Sequence, residues 1–260
     1  AYDIGLGIPA EPLFRSKNFG LPETHADPYG PFEDLRGFQH DAGKLAESLL
    51  EMGITGMKIW PFDLAAEKSG GTYISNQDLK MALVPFEKIR RAVGDKMDIH
   101  VEFHSLWQLP PAIKIAKAIE EFNPFWFEDP IKMNNLDALA NYASRTNVWV
   151  TCSETLGSRW AFRDLFNKNA VSICMLDVGW TGGLSEAKKI ASMAEANSLP
   201  IAPHDCTGPV LLTASVHLAL NAPNTLVQEI VRAFYYDWYK KFVTQLPPIE
   251  NGFISAPDGP

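Results

Sequence analysis

Six ionisable residues close apolar stretches of this chain at nearly equal steps. They are Glu102, Glu128, Glu154, Asp177, His204 and Glu229, at intervals of 26, 26, 23, 27 and 25 residues. Each interval is about the length of one strand, one helix and two connections. On a parallel barrel, residues so spaced share one rim, at the carboxyl ends of the strands. Three carboxylates brought to one point repel unless they are protonated or bound to a cation. Hard divalent cations prefer oxygen ligands, and Mg²⁺ keeps positions open for water or substrate. Glu102, Glu128 and Glu154 are therefore the candidate ligands of a Mg²⁺ ion. Asp177 and His204 end the next two strands. There a carboxylate can hold one imidazole nitrogen while the other faces the site, the arrangement of an oriented general base. Asp205, in the stretch APHDCTG, competes as the partner of His204.

Two more residues belong with this set. His104 lies two positions beyond Glu102, and the period of an extended chain puts both on one side. That brings His104 toward the metal, as acid or as ligand. Lys58 lies inside the apolar stretch GMKIW. A lysine there is costly unless its ammonium finds partners, so Lys58 is a candidate to receive a substrate carboxylate or to act as acid or base. His100 shares the parity of Glu102 but sits deeper, as a core residue. His217, within LLTASVHLAL, reads as structural, and His25 and His40 lie in a long connection with no specific signal.

Elements must position these groups. Eight short β-branched and aromatic runs are candidate strands: 1–6, 56–60, 99–103, 125–128, 148–152, 173–178, 200–203 and 225–230. Most are continuously apolar, as in strands buried on both faces of a parallel sheet. Amphipathic segments separate them. Within 111–122, Ile115, Ile119 and Phe122 share one face. Within 183–198, Leu184, Ala187, Ile190, Ala191 and Ala194 form a stripe. Strand–helix alternation predicts an α/β fold, a TIM-type barrel of (β/α)7β or (β/α)8 form with parallel strands. It runs over residues 1–240, with 241–260 as a C-terminal tail. Two long connections, 7–40 and 61–83, interrupt the rhythm, and loops of that length in a compact domain are usually functional.

Composition narrows the classes. With 260 residues, 46% apolar and 21% charged, the chain can bury a full core. No apolar run reaches the roughly 18 residues of a membrane span. The balance of 23 basic against 31 acidic residues, a net charge of −8, argues against a duplex nucleic-acid binder. It leaves anionic small substrates open, since a metal ion inverts the local field. Three cysteines, Cys152, Cys174 and Cys206, make no disulfide framework and point to a reducing, cytoplasmic setting.

The stretches VEFH (101–104), WFEDP (126–130), SET (153–155), LDVGWTGG (176–183), PHD (203–205) and VQE (227–229) resemble the enolase superfamily, in its mandelate racemase/muconate lactonizing branch. The resemblance spans about residues 45–230. It implies Mg²⁺ at Glu102, Glu128 and Glu154, and His204 with Asp177 as the base that removes a proton α to a carboxylate. Where Glu102 stands, the family commonly has Asp. Many members carry two lysines, K-x-K, on the second strand. Here Lys58-Ile59-Trp60 lacks the second, which argues against racemases that use it as a base. Glu102-Phe103-His104 resembles galactonate- and mannonate-type sugar-acid dehydratases. That likeness implies His104 as the acid on the departing hydroxyl, and Lys58 and Glu229 as groups that polarise or position the carboxylate.

The implied function is a Mg²⁺-dependent sugar-acid dehydratase, a lyase. KIWPFD (58–63) resembles sugar-acid cycloisomerases, so an isomerase (cycloisomerase, racemase or epimerase) is the second reading. The resemblance also implies an N-terminal α+β capping domain; with residues 1–6 read as the first barrel strand, that domain is expected to be absent from this sequence. An inactive capless fragment, or a barrel serving only as an interaction subunit, is the third reading. A two-metal hydrolase would want several histidine ligands, against the all-glutamate triad. The expected partners are a small sugar-acid substrate and further copies of the chain, with no nucleic acid and no membrane.

Overall fold

The computed structural model describes residues 34–259. Six strands form one sheet: β1 (Gly56–Ile59), β2 (Asp98–Glu102), β3 (Trp126–Glu128), β4 (Trp149–Cys152), β5 (Ile173–Leu176) and β6 (Ile201–Pro203). They lie side by side in chain order, and every pairing is parallel. Alternate residues feed two different cores. Met57, Ile59, Ile99, Val101, Phe127, Val150, Cys152, Cys174, Leu176 and Ile201 pack outward into the large core shared with the helices. Trp126, Ile173, Met175 and Ala202 pack together in a separate inner core. In β3, β5 and β6 every residue is thus buried, on both faces, which explains their continuous apolar runs. Register then lines up the polar residues: Lys58 lies opposite His100, His100 opposite Trp126, and Glu102 opposite Glu128.

Helices return the chain between strands. They are α1 (Asp34–Glu51), α2 (Asp63–Ser69), α3 (Asn76–Val93), α4 (Leu109–Ile119), α5 (Leu136–Ala143), α6 (Ser158–Asn167), α7 (Leu184–Ala196), α8 (Pro209–Asn221) and α9 (Arg232–Tyr236). In α4 the prolines fall in the first turn, where the missing N–H costs nothing, and Ala112, Ile115, Ala116 and Ile119 face the core. Among the described residues no helix is long and apolar enough to cross a membrane.

Three expectations need adjustment. The expected strand 1–6 lies outside the described residues. The expected strand 225–230 makes a single parallel bridge, Thr225 with Ile201, with Leu226 N and Glu229 N donating to Ile201 O and Pro203 O at 2.8 and 3.2 Å. It is extended and bonded to β6 on one side, which is too little pairing for a ladder. The connections are also partly helical: α1 starts at Asp34, and α2 and the first half of α3 lie within 61–83. The residues that read as loop are caps. Gly70 ends α2 at φ +61°, and the Ser75 hydroxyl accepts from Asp78 N to start α3.

Beyond α9 the chain folds back on the barrel. β7 (Ile249–Glu250) and β8 (Phe253–Ile254) pair antiparallel, and the Tyr235 hydroxyl donates to Pro247 O at 2.7 Å. Arg232, 5% exposed, grips Asp34 with two nitrogens at 2.6 and 3.0 Å, tying α9 to α1.

Candidate active site

Glu102 and Glu128 are the last residues of β2 and β3, and Glu154 follows β4 by two positions. One carboxylate oxygen from each lies within 4.8 Å of the others, and all three side chains are buried. Each has a distinct anchor. Glu102 Oε1 accepts from the backbone N–H of Phe103 and His104 at 2.9 and 2.6 Å. Trp126 Nε1 donates to Glu128 Oε2 at 3.1 Å. His204 Nε2 meets Glu154 Oε2 at 2.6 Å. Lys58 reaches up from β1 between three acids: its Nζ is 2.5 Å from Glu229, 2.9 Å from Glu128 and 3.5 Å from Glu102.

Buried like charges shape the electrostatics. Burial pushes Glu102 and Glu128 upward, and their mutual repulsion adds to the rise at Glu128. Burial opposes the Lys58 charge too, but Glu128, Glu229 and Glu102 outweigh it and hold its pKa well above the usual lysine range. The same contest at His204 is won by Glu154, which raises the imidazole, while His204 lowers Glu154 against its own burial. Glu102 Oε2 remains buried without a hydrogen bond. An all-oxygen cluster with more carboxylates than local cations, one of whose buried oxygens has no hydrogen bond and only the Lys58 ammonium at 3.5 Å, suits a hard divalent ion.

His204 follows β6 directly. Its Nδ1 donates to Asp177 Oδ2 at 2.8 Å, and Asp177 Oδ1 accepts from the N–H of Gly179 and Trp180 at 2.8 and 3.1 Å. Asp177 is thus pinned on one side and pins the imidazole on the other. Asp205 takes no part in this pair. It is buried beside Tyr239, whose hydroxyl lies 3.2 and 3.3 Å from its two oxygens, and burial pushes its pKa up to about 8.

His104 stands on the facing wall, beyond β2. It is buried, and its Nδ1 donates to Asp63 Oδ2 at 2.7 Å. Sequence reasoning passed over Asp63 because it fell in a stretch read as loop. The rim rule would have reached it, since it too is an acid just past a barrel strand. Trp60 packs edge-on against the His104 ring with centroids 5.9 Å apart.

The remaining histidines stand apart from the cluster. His100 stacks on Trp126 at 3.9 Å inside the sheet, and burial, then Lys58, bring its pKa down to about 3. Gly56 leaves the space it needs, since a Cβ there would sit 3.0 Å from the His100 ring. His217 and His40 are exposed, and His25 lies outside the described residues. The three cysteines are free thiols, Cys152 and Cys174 buried and Cys206 half-buried beside His204.

A curled sheet of parallel strand–helix units with acids and an Asp–His pair at its carboxyl rim defines a class: the acid–base α/β barrels. Within it, the chain belongs to the enolase C-terminal domain-like family, whose sequence pattern matches residues 41–260. A solved enolase of the mandelate racemase subgroup from Agrobacterium tumefaciens is 65% identical, with a TM-score of 0.80, over 82% of this chain and 58% of that one. The arabinonate dehydratase of Saccharolobus solfataricus is 31% identical over 172 residues, 66% of this chain and 46% of its own length. The D-galactonate dehydratase of Ralstonia pickettii is 27% identical over 201 residues, 75% of this chain and 53% of its own. The chain therefore spans about half the length of the curated relatives it matches.

Proposed function

We propose that this chain carries the catalytic barrel of a Mg²⁺-dependent sugar-acid dehydratase, a lyase. The observation that carries the reading is the triad of Glu102, Glu128 and Glu154, with oxygens within 4.8 Å, standing beside the His204–Asp177 pair. The dehydratase names of the relatives support the same chemistry. Mg²⁺ held by the three glutamates would supply the positive charge that makes a proton α to a carboxylate acidic enough to remove.

The chain's own groups then divide the work. Lys58 and Glu229, paired at 2.5 Å, position the substrate carboxylate. His204 Nε2 takes the α-proton, its Nδ1 held by Asp177. The electron pair left behind expels the β-hydroxyl, and His104 donates the proton that lets it leave as water. The enol product tautomerises to a 2-keto-3-deoxy acid. Racemisation needs a second base on the far face. Trp60 stands where the K-x-K pattern would put the second lysine, and its indole has no basic nitrogen, which argues against a racemase that uses that lysine as its base.

A panel of acid sugars with Mg²⁺, followed by NMR in D₂O, tests the reading. The expected product is a keto acid with loss of water. Ring rearrangement instead would sink the dehydratase and favour a cycloisomerase. His204→Asn should cut turnover by about 10²- to 10⁴-fold, the usual contribution of one general base. Near-normal turnover in that variant would remove His204 from the mechanism.

A further inference from the structure

Glu102 and Glu128 end paired strands in matching register. Glu154 does not: it lies two residues beyond Cys152, the last paired residue of β4. Something other than the sheet ladder must therefore place it beside the other two. The residue directly after Glu128 is bonded to do so. Asp129 N donates to Thr151 O of β4 at 3.1 Å, and Asp129 O accepts from Ser105 N, beyond β2, at 2.9 Å. Its side chain, 1% exposed, accepts at Oδ2 from the Ser153 hydroxyl at 2.7 Å. Ser153 is fully buried and directly precedes Glu154. Its oxygen also accepts from Thr155 N at 3.2 Å and lies 2.9 Å from Thr155 Oγ1. With its own proton given to Asp129, it takes the proton of the threonine. Glu154 is thus flanked on both sides by one small network, and that network ends on Asp129. Asp129 adopts φ +41° at this junction, a region rarely entered by residues other than glycine. Strained residues held by several bonds cluster at functional sites.

We propose that Asp129 and Ser153 are positioning residues for the metal ligands: their bond holds the turn carrying Glu154 against the end of β3, so that its carboxylate stays within 4.8 Å of those of Glu102 and Glu128. The contact holds in either charge state of Asp129, since a carboxyl oxygen accepts from a hydroxyl in both. The proposal rests on the metal reading of the triad and not on the reaction that follows.

Isothermal titration of Mg²⁺ into the metal-free full chain, beside urea unfolding without Mg²⁺, tests it. Ser153→Ala removes one hydroxyl and no charge. It should raise the Mg²⁺ Kd about 10- to 100-fold, the usual effect of losing a group that orients a ligand. Ser153→Cys, similar in size but a weak donor, should fall between wild type and Ser153→Ala. If the alanine variant does not fold, the cysteine variant decides, by a Kd raised or unchanged. Asp129→Ala should also weaken binding, and adding Ser153→Ala to it should cost little more, because both remove the same bond. A folded Ser153→Ala chain with the wild-type Kd overturns the proposal, and a loss seen only in urea makes the bond structural. Fully additive losses in the double variant overturn the link between the two residues. A wild-type chain that takes up no Mg²⁺ sinks the metal reading itself, and this proposal with it.

Discussion

Trp126 shows how one residue serves both fold and site. Its ring belongs to the inner core with Ile173, Met175 and Ala202, and its Nε1 donates to Glu128 at 3.1 Å. Groups that hold a metal ligand from behind typically tune affinity about 10- to 100-fold. Trp126→Phe keeps most of the packing and removes the donor. Mg²⁺ should still bind, about tenfold or more weakly, as isothermal titration will report. Removing a ligand is a harsher change. Mg²⁺ at a hundred times its Kd should stabilise the wild-type chain by about 2.7 kcal/mol, visible as a rise in melting temperature. Glu154→Gln should abolish that rise. A wild-type melting curve indifferent to Mg²⁺ would count against the metal site itself.

At the scale of elements, the site depends on how one connection leans on the next. α2 and α3 arise from a stretch rich in glycine, serine and asparagine, and those residues act as caps and turns rather than as open loop. Gly71 is the contact point: it has φ +71° and almost touches the Leu106 carbonyl. A left-handed conformation costs a residue with a Cβ about 1–2 kcal/mol, and here a backbone overlap is added. Gly71→Ala should therefore destabilise the chain by at least about 2 kcal/mol in urea unfolding and loosen the placement of Asp63 beside His104. A neutral Gly71→Ala would mean that the two loops are not packed as described.

For the whole molecule, a buried acid couples the C-terminal segment to the barrel. Asp205 is 0% exposed, bonded to the Tyr239 hydroxyl, and pushed by burial up to about 8. Its folded pKa lies above its unfolded value near 4, so folding favours the protonated form. The stability contributed by that proton is complete below about pH 4 and is lost as pH climbs toward about 8. Asp205→Asn has no proton to lose. Relative to wild type it should gain on the order of 2 kcal/mol between pH 5 and pH 8, read from urea unfolding at the two values. A difference that does not change with pH would show that Asp205 is ionised in the folded chain.

Strand spacing, apolar runs and acid positions were open to reading along the chain, because a parallel sheet buries both faces of each strand and leaves its polar residues at the ends. Thus Glu102, Glu128, Glu154, Asp177 and His204 stood out, and the helices 109–119 and 184–196 were legible from their stripes. Contacts between distant segments were not. Nothing local in KIWPFD says that Asp63 meets a histidine 41 positions away. Nothing in APHDCTG says that Asp205 turns to Tyr239 while Asp177 takes the imidazole. Periodicity determines which way a side chain faces. The partner it finds there is decided only when separate strand–helix units pack, because that pairing depends on distances in space which no short stretch of chain encodes.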